Sequence, residues 1–247
     1  MKVLITGGAG SLGRAFIKTL HNVSVTVVDS NEWAVAECQK LFPDVEFILG
    51  DFTDVELEPY DYVIHCAAYK HVDLGQNNQE SFVSNNIIKT MKLFKELHRL
   101  RTPFLFISTD KAVKPINFYG FTKAIGEELA LYYGGSVGRC GNLLASSGSV
   151  IPIWEQAIKD KLPIPITDIN MIRYVIEDIQ AATVLWNEFL EGNKVIIPLC
   201  KEVRLLDMLS DVLKRHGYNS AEEYTPGVEI IGIRPGEKLR EEMEWTD

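Results

Sequence analysis

Basic charge is in short supply in this 247-residue chain: 25 Lys and Arg stand against 34 Asp and Glu, a net charge of -9. A nucleic-acid-binding surface normally shows as a basic patch or stripe, so that class is set aside. A phosphorylated small molecule stays open, because a few local Arg and Lys side chains are enough to hold it. Cysteine is sparse too: Cys38, Cys66, Cys140 and Cys200 are widely separated and form no CxxC, which excludes a zinc knuckle or a disulfide framework and fits a reducing cytoplasm. None of the five histidines is spaced as a metal site, and no metal is expected. No segment approaches the roughly 20 apolar residues of a membrane span. The N-terminal Met-Lys-Val-Leu-Ile-Thr-Gly runs straight into a strand-turn pattern without the apolar core and cleavage site of a signal peptide. A soluble protein with no membrane partner is the expectation. Internal repeats and low-complexity tracts are also lacking.

What is present is an alternation of short apolar runs and helical patterns, the way a parallel sheet covered by helices reads in sequence. Strands are predicted near Lys2 to Thr6, Ser24 to Val28, Val45 to Leu49, Tyr62 to Cys66 and Pro103 to Ser108, with helices beginning near Gly10, Asn31, Asn77 and Asn117. In the Asn77 helix, Val83, Ile87, Met91, Phe94 and Leu97 recur at steps of three or four and predict the stripe that packs on the sheet. Asp51 to Asp61 is too short for a covering helix and reads as a loop. From Gly134 onward Gly, Ser and Pro punctuate the chain, predicting loops and short elements over the sheet's carboxyl edge. The fold class is therefore α/β: a Rossmann-like doubly wound parallel sheet over residues 1–145 and a small C-terminal lobe over 146–247, interleaved with the last elements of the first.

Gly7-Gly8-Ala9-Gly10-Ser11-Leu12-Gly13 contains GxGxxG directly after a strand and at the start of a helix. Glycines permit the tight turn and close approach, and the helix N-terminus offers free N–H groups and partial positive charge to a pyrophosphate. Gly7, Gly10, Ser11, Leu12 and Gly13 are accordingly candidate cofactor residues, against the plainer reading of a tight turn without ligand. Asp29 closes the second strand roughly 20 residues on, where a carboxylate meets adenosine ribose hydroxyls and would repel a 2'-phosphate, which favours NAD over NADP. Asp51, followed by Phe52, is placed to meet the adenine, and Ala67-Ala68 supplies small side chains where a dinucleotide crosses the sheet edge.

Ser108-Thr109-Asp110-Lys111, followed by Tyr119-Gly-Phe-Thr-Lys123, places two proton-transfer pairs just beyond a strand. Tyr119 and Lys123, four apart, share a helix face, so the ammonium can lower the phenol's pKa and let a tyrosinate accept a hydroxyl proton. Asp110 and Lys111 are the extra acid and base that plain alcohol oxidation does not need, and they point to dehydration; the ordinary alternative is a solvated charged turn.

GGAGSLG, AAYKHV, STDKAVKPINFYGFTK, GNLLASSGSVIP, PITDINMIRYV and IIGIRPGEKLREEM, in order from Thr6 to Met243, resemble the successive signatures of the UDP-N-acetylglucosamine 4,6-dehydratases, extended short-chain dehydrogenase/reductases of polysaccharide biosynthesis. The resemblance implies a tightly held NAD, with NADP the alternative, recycled within each turnover, a UDP-sugar substrate, and a homo-oligomer. It implies that Thr109 holds the C4 hydroxyl and Tyr119, supported by Lys123, takes its proton. Lys111, as a neutral amine, then removes the C5 proton, while Asp110, as a carboxylic acid, protonates the leaving C6 hydroxyl. For the substrate it points to Lys70 and His71 near the sugar, to Asn142, Ser149 and Val150 near the diphosphate and uracil, to Arg173 and Arg234 on the phosphates, and to Glu237 on the ribose. Glu241-Glu242-Met-Glu244 reads as a solvated helix face. The chain departs from the family pattern in being short, in Asp73 where a proline is usual, in Cys140 where an aromatic is usual, and in Tyr119 where the longest relatives carry Met. A nucleotide-sugar 4-epimerase, using Thr109, Tyr119 and Lys123 without the second pair, and a non-catalytic NAD-binding scaffold are the rival readings.

Overall fold

Seven parallel strands form the central sheet of this structure, a computed structural model that describes residues 1–144 and 149–245. They are β1 (Lys2–Thr6), β2 (Ser24–Asp29), β3 (Glu46–Leu49), β4 (Tyr62–His65), β5 (Phe104–Thr109), β6 (Ser136–Cys140) and, after three strands of the lobe, β10 (Val195–Ile196), in the order β10-β6-β5-β4-β1-β2-β3. Chain direction across the sheet reverses between β1 and β4, and ligands of open α/β sheets bind at such a switch, beyond the carboxyl ends of the strands. The doubly wound sheet expected from sequence is what forms, with the five predicted strands in register within a residue at each end.

Burial on both faces explains the continuous apolar runs. On β1, Val3 and Ile5 face the layer of α1 (Ser11–Thr19) and α8 (Asp178–Leu190), where Ala15, Phe16, Leu185 and Trp186 pack. Leu4, one residue out of phase, faces α5 (Thr90–Leu100) and α6 (Phe118–Tyr132), with Leu93, Phe94, Leu97 and Ala130. α2 (Glu32–Leu41), capped by Asn31, covers β2 and β3. The connection after β3 is a loop with one turn of 3-10 helix, Phe52–Asp54.

The helix after β4 departs from the expected stripe. Short α3 (Val72–Asn77) and α4 (Gln79–Phe82) lead into a π-helical stretch, Val83–Lys89, before α5. Its buried face is Phe82, Asn86, Thr90, Leu93, Phe94 and Leu97, whereas Met91 is exposed and Val83 and Ile87 are only half-buried. Across the π-helical stretch the buried positions are 82, 86 and 90 in place of 83, 87 and 91, a shift of one residue, and the two patterns meet again at Phe94 and Leu97. Two polar residues take core positions because they have partners: Asn86 bonds the Tyr69 backbone and Thr122 Oγ1, and Thr90 Oγ1 lies 3.0 Å from His65 Nε2.

The second correction concerns everything after Gly134, which holds more regular structure than its punctuation suggested. β6 pairs with β5 along its whole length. β7 (Asn142–Leu143), β9 (Ile172–Ile176) and β11 (Lys201–Arg204) make a three-stranded sheet, and β8 (Ile164–Ile166) pairs with β12 (Val228–Ile230). α7 (Val150–Asp160) and α9 (Leu205–Arg215) enclose a separate core of Trp154, Ile158, Ile164, Ile166, Leu209 and Leu213. The boundary expected at 145/146 and the serines of Ser146-Ser147 lie outside the described residues. Among the described residues no helix is long and apolar enough to cross a membrane.

Candidate active site

Two loops meet at the switch point, the glycine loop after β1 and the Cys66–His71 loop after β4. Gly13 is required by the protein itself: a Cβ there would stand 2.4 Å from Gly8 Cα. Gly10 is not, since a Cβ would meet only Gly7 O, at 3.3 Å, so the space above it is a cradle that a side chain would fill and a ligand can use. Gly10 also caps α1, directing the helix's free N–H groups there, with Ser11 and Leu12 in the first turn. Asp29 ends β2 beside this loop, its Oδ2 accepting from Ala9 N at 3.1 Å and its Oδ1 from Asn31 N at 3.0 Å. Asp51 caps the 3-10 turn and pairs with Lys89; burial opposes its ionisation, but hydrogen bonds from Lys89 and Thr53 outweigh that and hold its carboxyl below the usual range. Phe52 turns its ring into the core against His65, at 4.9 Å between centroids, so its side chain is withdrawn from any adenine. Ala67 and Ala68 sit half-buried beside the glycine loop. These residues fit a dinucleotide.

The candidate reaction residues gather at the carboxyl end of β5. Thr109 closes the strand, and Asp110–Ala112 form a 3-10 turn held against α6 by the glycine of the Tyr-Gly-Phe-Thr-Lys run. A Cβ at Gly120 would be 2.3 Å from Lys111 O, so only glycine allows this approach. Asn117 caps α6 by accepting from Gly120 N at 2.7 Å, placing Tyr119 in the first turn and Lys123 one turn on. Asp110 is wholly buried; its Oδ1 accepts from Thr109 Oγ1 and from Lys111 Nζ, both at 2.9 Å, and its Oδ2 has no partner. Lys111 Nζ also reaches Asn142 Oδ1 at 3.4 Å. The pair is therefore not a solvated turn.

Tyr119 and Lys123 do not stand as expected. Burial and the neighbouring Asp110 charge push the Tyr119 phenol above its ordinary value, and it is Thr109, not Lys123, that works to lower it. The Lys123 ammonium turns instead to the Ile107 carbonyl and lies 3.9 Å over the Phe106 ring. Burial pulls its pKa down to about 7, against the raising influence of Glu127 and Cys66. Beneath it, buried His65 holds Thr6 Oγ1 at 2.6 Å and Thr90 Oγ1 at 3.0 Å, with its pKa brought down to about 3 by burial and by Lys123.

The substrate candidates scatter more. Asn142 joins the Asp110–Lys111 group. Ser149 caps α7 with its Oγ buried and unpartnered, and Val150 begins that helix. Lys70 and His71 are exposed in the loop after β4. Arg173 Nη1 is occupied by the carbonyls of Ile172, Lys238 and Leu239, at 2.9, 3.0 and 3.4 Å, and so ties down the C-terminal segment. Arg234 pairs with Asp73 at 3.0 Å and Glu237 at 3.5 Å, which gives the unexpected Asp73 a partner and leaves Glu237 facing an arginine.

Two features escaped the sequence reading. Arg139 and Glu127 form a buried two-point ion pair at 3.0 and 2.6 Å. Glu241, expected on a solvated helix face, is 2% exposed and not helical, 4.0 Å from Lys111 Nζ. No local signal marks either, since each is buried by contacts distant in sequence.

The family profile described as "Polysaccharide biosynthesis protein" matches residues 3–247. An uncharacterized membrane protein of Methanocaldococcus jannaschii is 33% identical, over 98% of this chain and 79% of its own. A UDP-N-acetylglucosamine 4,6-dehydratase (inverting) of Campylobacter jejuni is 29% identical, over 99% and 78%, and a UDP-glucose 4-epimerase of Rickettsia rickettsii is 29% identical, over 98% and 76%. A dTDP-glucose 4,6-dehydratase of Streptomyces venezuelae, solved with NAD, shares the fold with a TM-score of 0.86 at 21% identity, covering 99% of this chain and 88% of that one.

Proposed function

The chain belongs to the polysaccharide biosynthesis protein family, and from that premise we propose that it dehydrates a UDP-hexose, UDP-N-acetylglucosamine first among them, to a UDP-4-keto-6-deoxy sugar. The observation that carries the reading is the buried Asp110–Lys111 pair with one Asp110 oxygen unpartnered. NAD held by the glycine loop and Asp29 would take hydride from C4 and return it to C6; the likeness to a fold solved with NAD supports that choice. Thr109 orients the C4 hydroxyl, and Tyr119, after its phenol proton has passed to the neutral amine of Lys123, receives the hydroxyl proton as a tyrosinate. Lys123, poised to gain a proton near neutrality, supplies positive charge one helical turn away.

The second pair needs no outside proton to reach its working form. Moving one proton from Lys111 Nζ to Asp110 along their 2.9 Å contact turns the ion pair into a neutral amine and a carboxylic acid. A substrate that excludes water favours the neutral pair. Once a C4 ketone has acidified the C5 hydrogen, Lys111 removes that proton as Asp110 donates its own to the departing C6 oxygen. The C5–H and C6–O bonds break, water leaves, and the ion pair is restored.

The test is incubation of the purified protein with UDP-N-acetylglucosamine in D2O without added cofactor, followed by mass and proton NMR. Loss of water with one deuterium at C5 supports the reading. An unchanged mass with C4 inverted would select the epimerase instead, a second reading that the Rickettsia relative favours. Absence of any turnover would favour a binding protein.

A further inference from the structure

Residues 234–245 are laid over the reaction residues as an irregular strap of turns and bends. Asn117 Nδ2 holds Gly236 O at 2.8 Å, Lys238 Nζ holds Val113 O at 2.7 Å, Arg173 Nη1 holds Lys238 O at 3.0 Å, and Arg139 Nη1 holds Met243 O at 2.8 Å. Three of these ties hold strap carbonyls and the fourth uses the Lys238 side chain, and the strap also inserts one carboxylate. Glu241 Oε1 lies 4.0 Å from Lys111 Nζ and Oε2 lies 3.5 Å from Lys238 Nζ, and Oε2 has no hydrogen bond although the residue is 2% exposed. A buried carboxylate left without full hydrogen bonding is costly to the fold and calls for a reason.

Its surroundings supply one. Lys111 faces Asp110 on its own turn, Asn142 from β7, and Glu241 from the strap, whose other oxygen meets Lys238, while Tyr119 of α6 lies against Asp110 and Thr109. With two carboxylates and two ammonium groups, the cluster balances in charge. Lys111 Nζ is bonded to Asp110 Oδ1 at 2.9 Å and lies 4.0 Å from Glu241 Oε1; the second carboxylate pulls on the same ammonium and so sets where Nζ rests once its bond to Asp110 is given up for a substrate carbon. Glu242, the next residue but one from Arg240, instead pairs at the surface with Lys114 at 2.8 Å.

We propose, on the dehydratase reading above, that Glu241 is a positioning residue for Lys111, serving the elimination step and not the C4 oxidation. It touches no reacting atom and acts through the Lys111 ammonium. The prediction is therefore step-specific. In Glu241→Gln, oxidation at C4 proceeds at close to the native rate, while water loss slows by roughly 10- to 100-fold, the scale of a misplaced catalytic group. Reduced nicotinamide then accumulates on the protein after substrate is added, kcat falls, and KM holds. Glu241→Gln leaves the buried cluster with one ammonium in excess, so its melting temperature falls; the partition between oxidation and water loss, read on folded protein, is what reports the positioning role.

The experiment is rapid mixing of native protein and Glu241→Gln, each as purified with its bound cofactor, with UDP-N-acetylglucosamine. The reduced nicotinamide is followed by absorbance, water loss by mass, and folding by thermal melting. Glu241→Asp, which keeps the charge, is run alongside and should recover part of the elimination rate; it also serves if the glutamine variant is unstable. Accumulation of reduced cofactor in Glu241→Gln with partial recovery in Glu241→Asp supports the proposal. Equal slowing of both steps, or a native partition between them, overturns it. Failure of the native protein to lose water overturns the dehydratase reading itself, and the inference with it.

Discussion

Breaking the Arg139–Glu127 pair tests how the fold holds its catalytic end together. The guanidinium grips the Glu127 carboxylate at 3.0 and 2.6 Å, with both side chains under a tenth exposed, and its other end holds Met243 O at 2.8 Å. Arg139→Met leaves the Glu127 charge buried without a partner, which costs about 3–5 kcal/mol. A chain of 247 residues unfolds with an entropy near 0.5 kcal/mol per kelvin, so the melting temperature should drop by about 6–10 °C. Replacing both, as Glu127→Leu with Arg139→Met, puts apolar side chains of similar volume where the ions were and should return most of that loss. It does not return the Met243 tie, and it removes the negative charge that raises the Lys123 pKa. The double variant should thus melt near the native temperature and still turn over substrate slowly. Calorimetry on the native protein and the single and double variants, with turnover measured on each, separates the two roles. A double variant as unstable as the single one, or a single variant that loses less than about 1 kcal/mol, would refute the argument from an uncompensated charge.

Other substitutions report on the site. Gly13→Ala drives a Cβ to 2.4 Å from Gly8 Cα and should destabilise the apoprotein severely, whereas Gly10→Ala, with 3.3 Å to its nearest neighbour, should leave the melting temperature unchanged and weaken NAD binding measured by titration calorimetry. Asp110→Asn should retain NAD binding and C4 oxidation while reducing water loss by roughly 10²- to 10⁴-fold, the usual contribution of a general acid; retained dehydration would remove Asp110 as the acid. His65 gives a stability prediction with a definite sign. Its folded pKa, about 3, lies below the ordinary 6.5, so the unfolded chain binds the extra proton first, and stability is lost as pH falls from 6.5 towards 3. The total is about 5 kcal/mol. Urea midpoints across that range should fall more steeply for the native protein than for His65→Gln, and parallel curves would sink the assignment.

The parts of this protein legible in sequence are those whose causes are local. β1, β2 and β5 read as strands because burial on both faces demands unbroken apolar runs, and Tyr119 and Lys123 fall on one helix because Asn117 caps it two residues before Tyr119. β6, Ser-Val-Gly-Arg-Cys, is equally buried, yet its sequence falls among the loops and short elements expected after Gly134. Its glycine makes room for Leu185, where a Cβ would come within 2.5 Å, and its arginine is answered by Glu127 and by a carbonyl 104 positions away. The Lys123 ammonium shows the same limit within the site itself: helical spacing fixes the face it shares with Tyr119, but the Ile107 carbonyl and the Phe106 ring decide where its charge rests. Glu241 and Glu242 are neighbours of one type, and nothing local tells them apart. The strap's ties to Val113, Arg139 and Arg173 bury one against Lys111 and leave the other half in solvent. Charges in this fold acquire chemical meaning from partners remote in sequence, so a lone sequence names the residue types a reaction needs more readily than it says which copy of each stands at the reacting carbon.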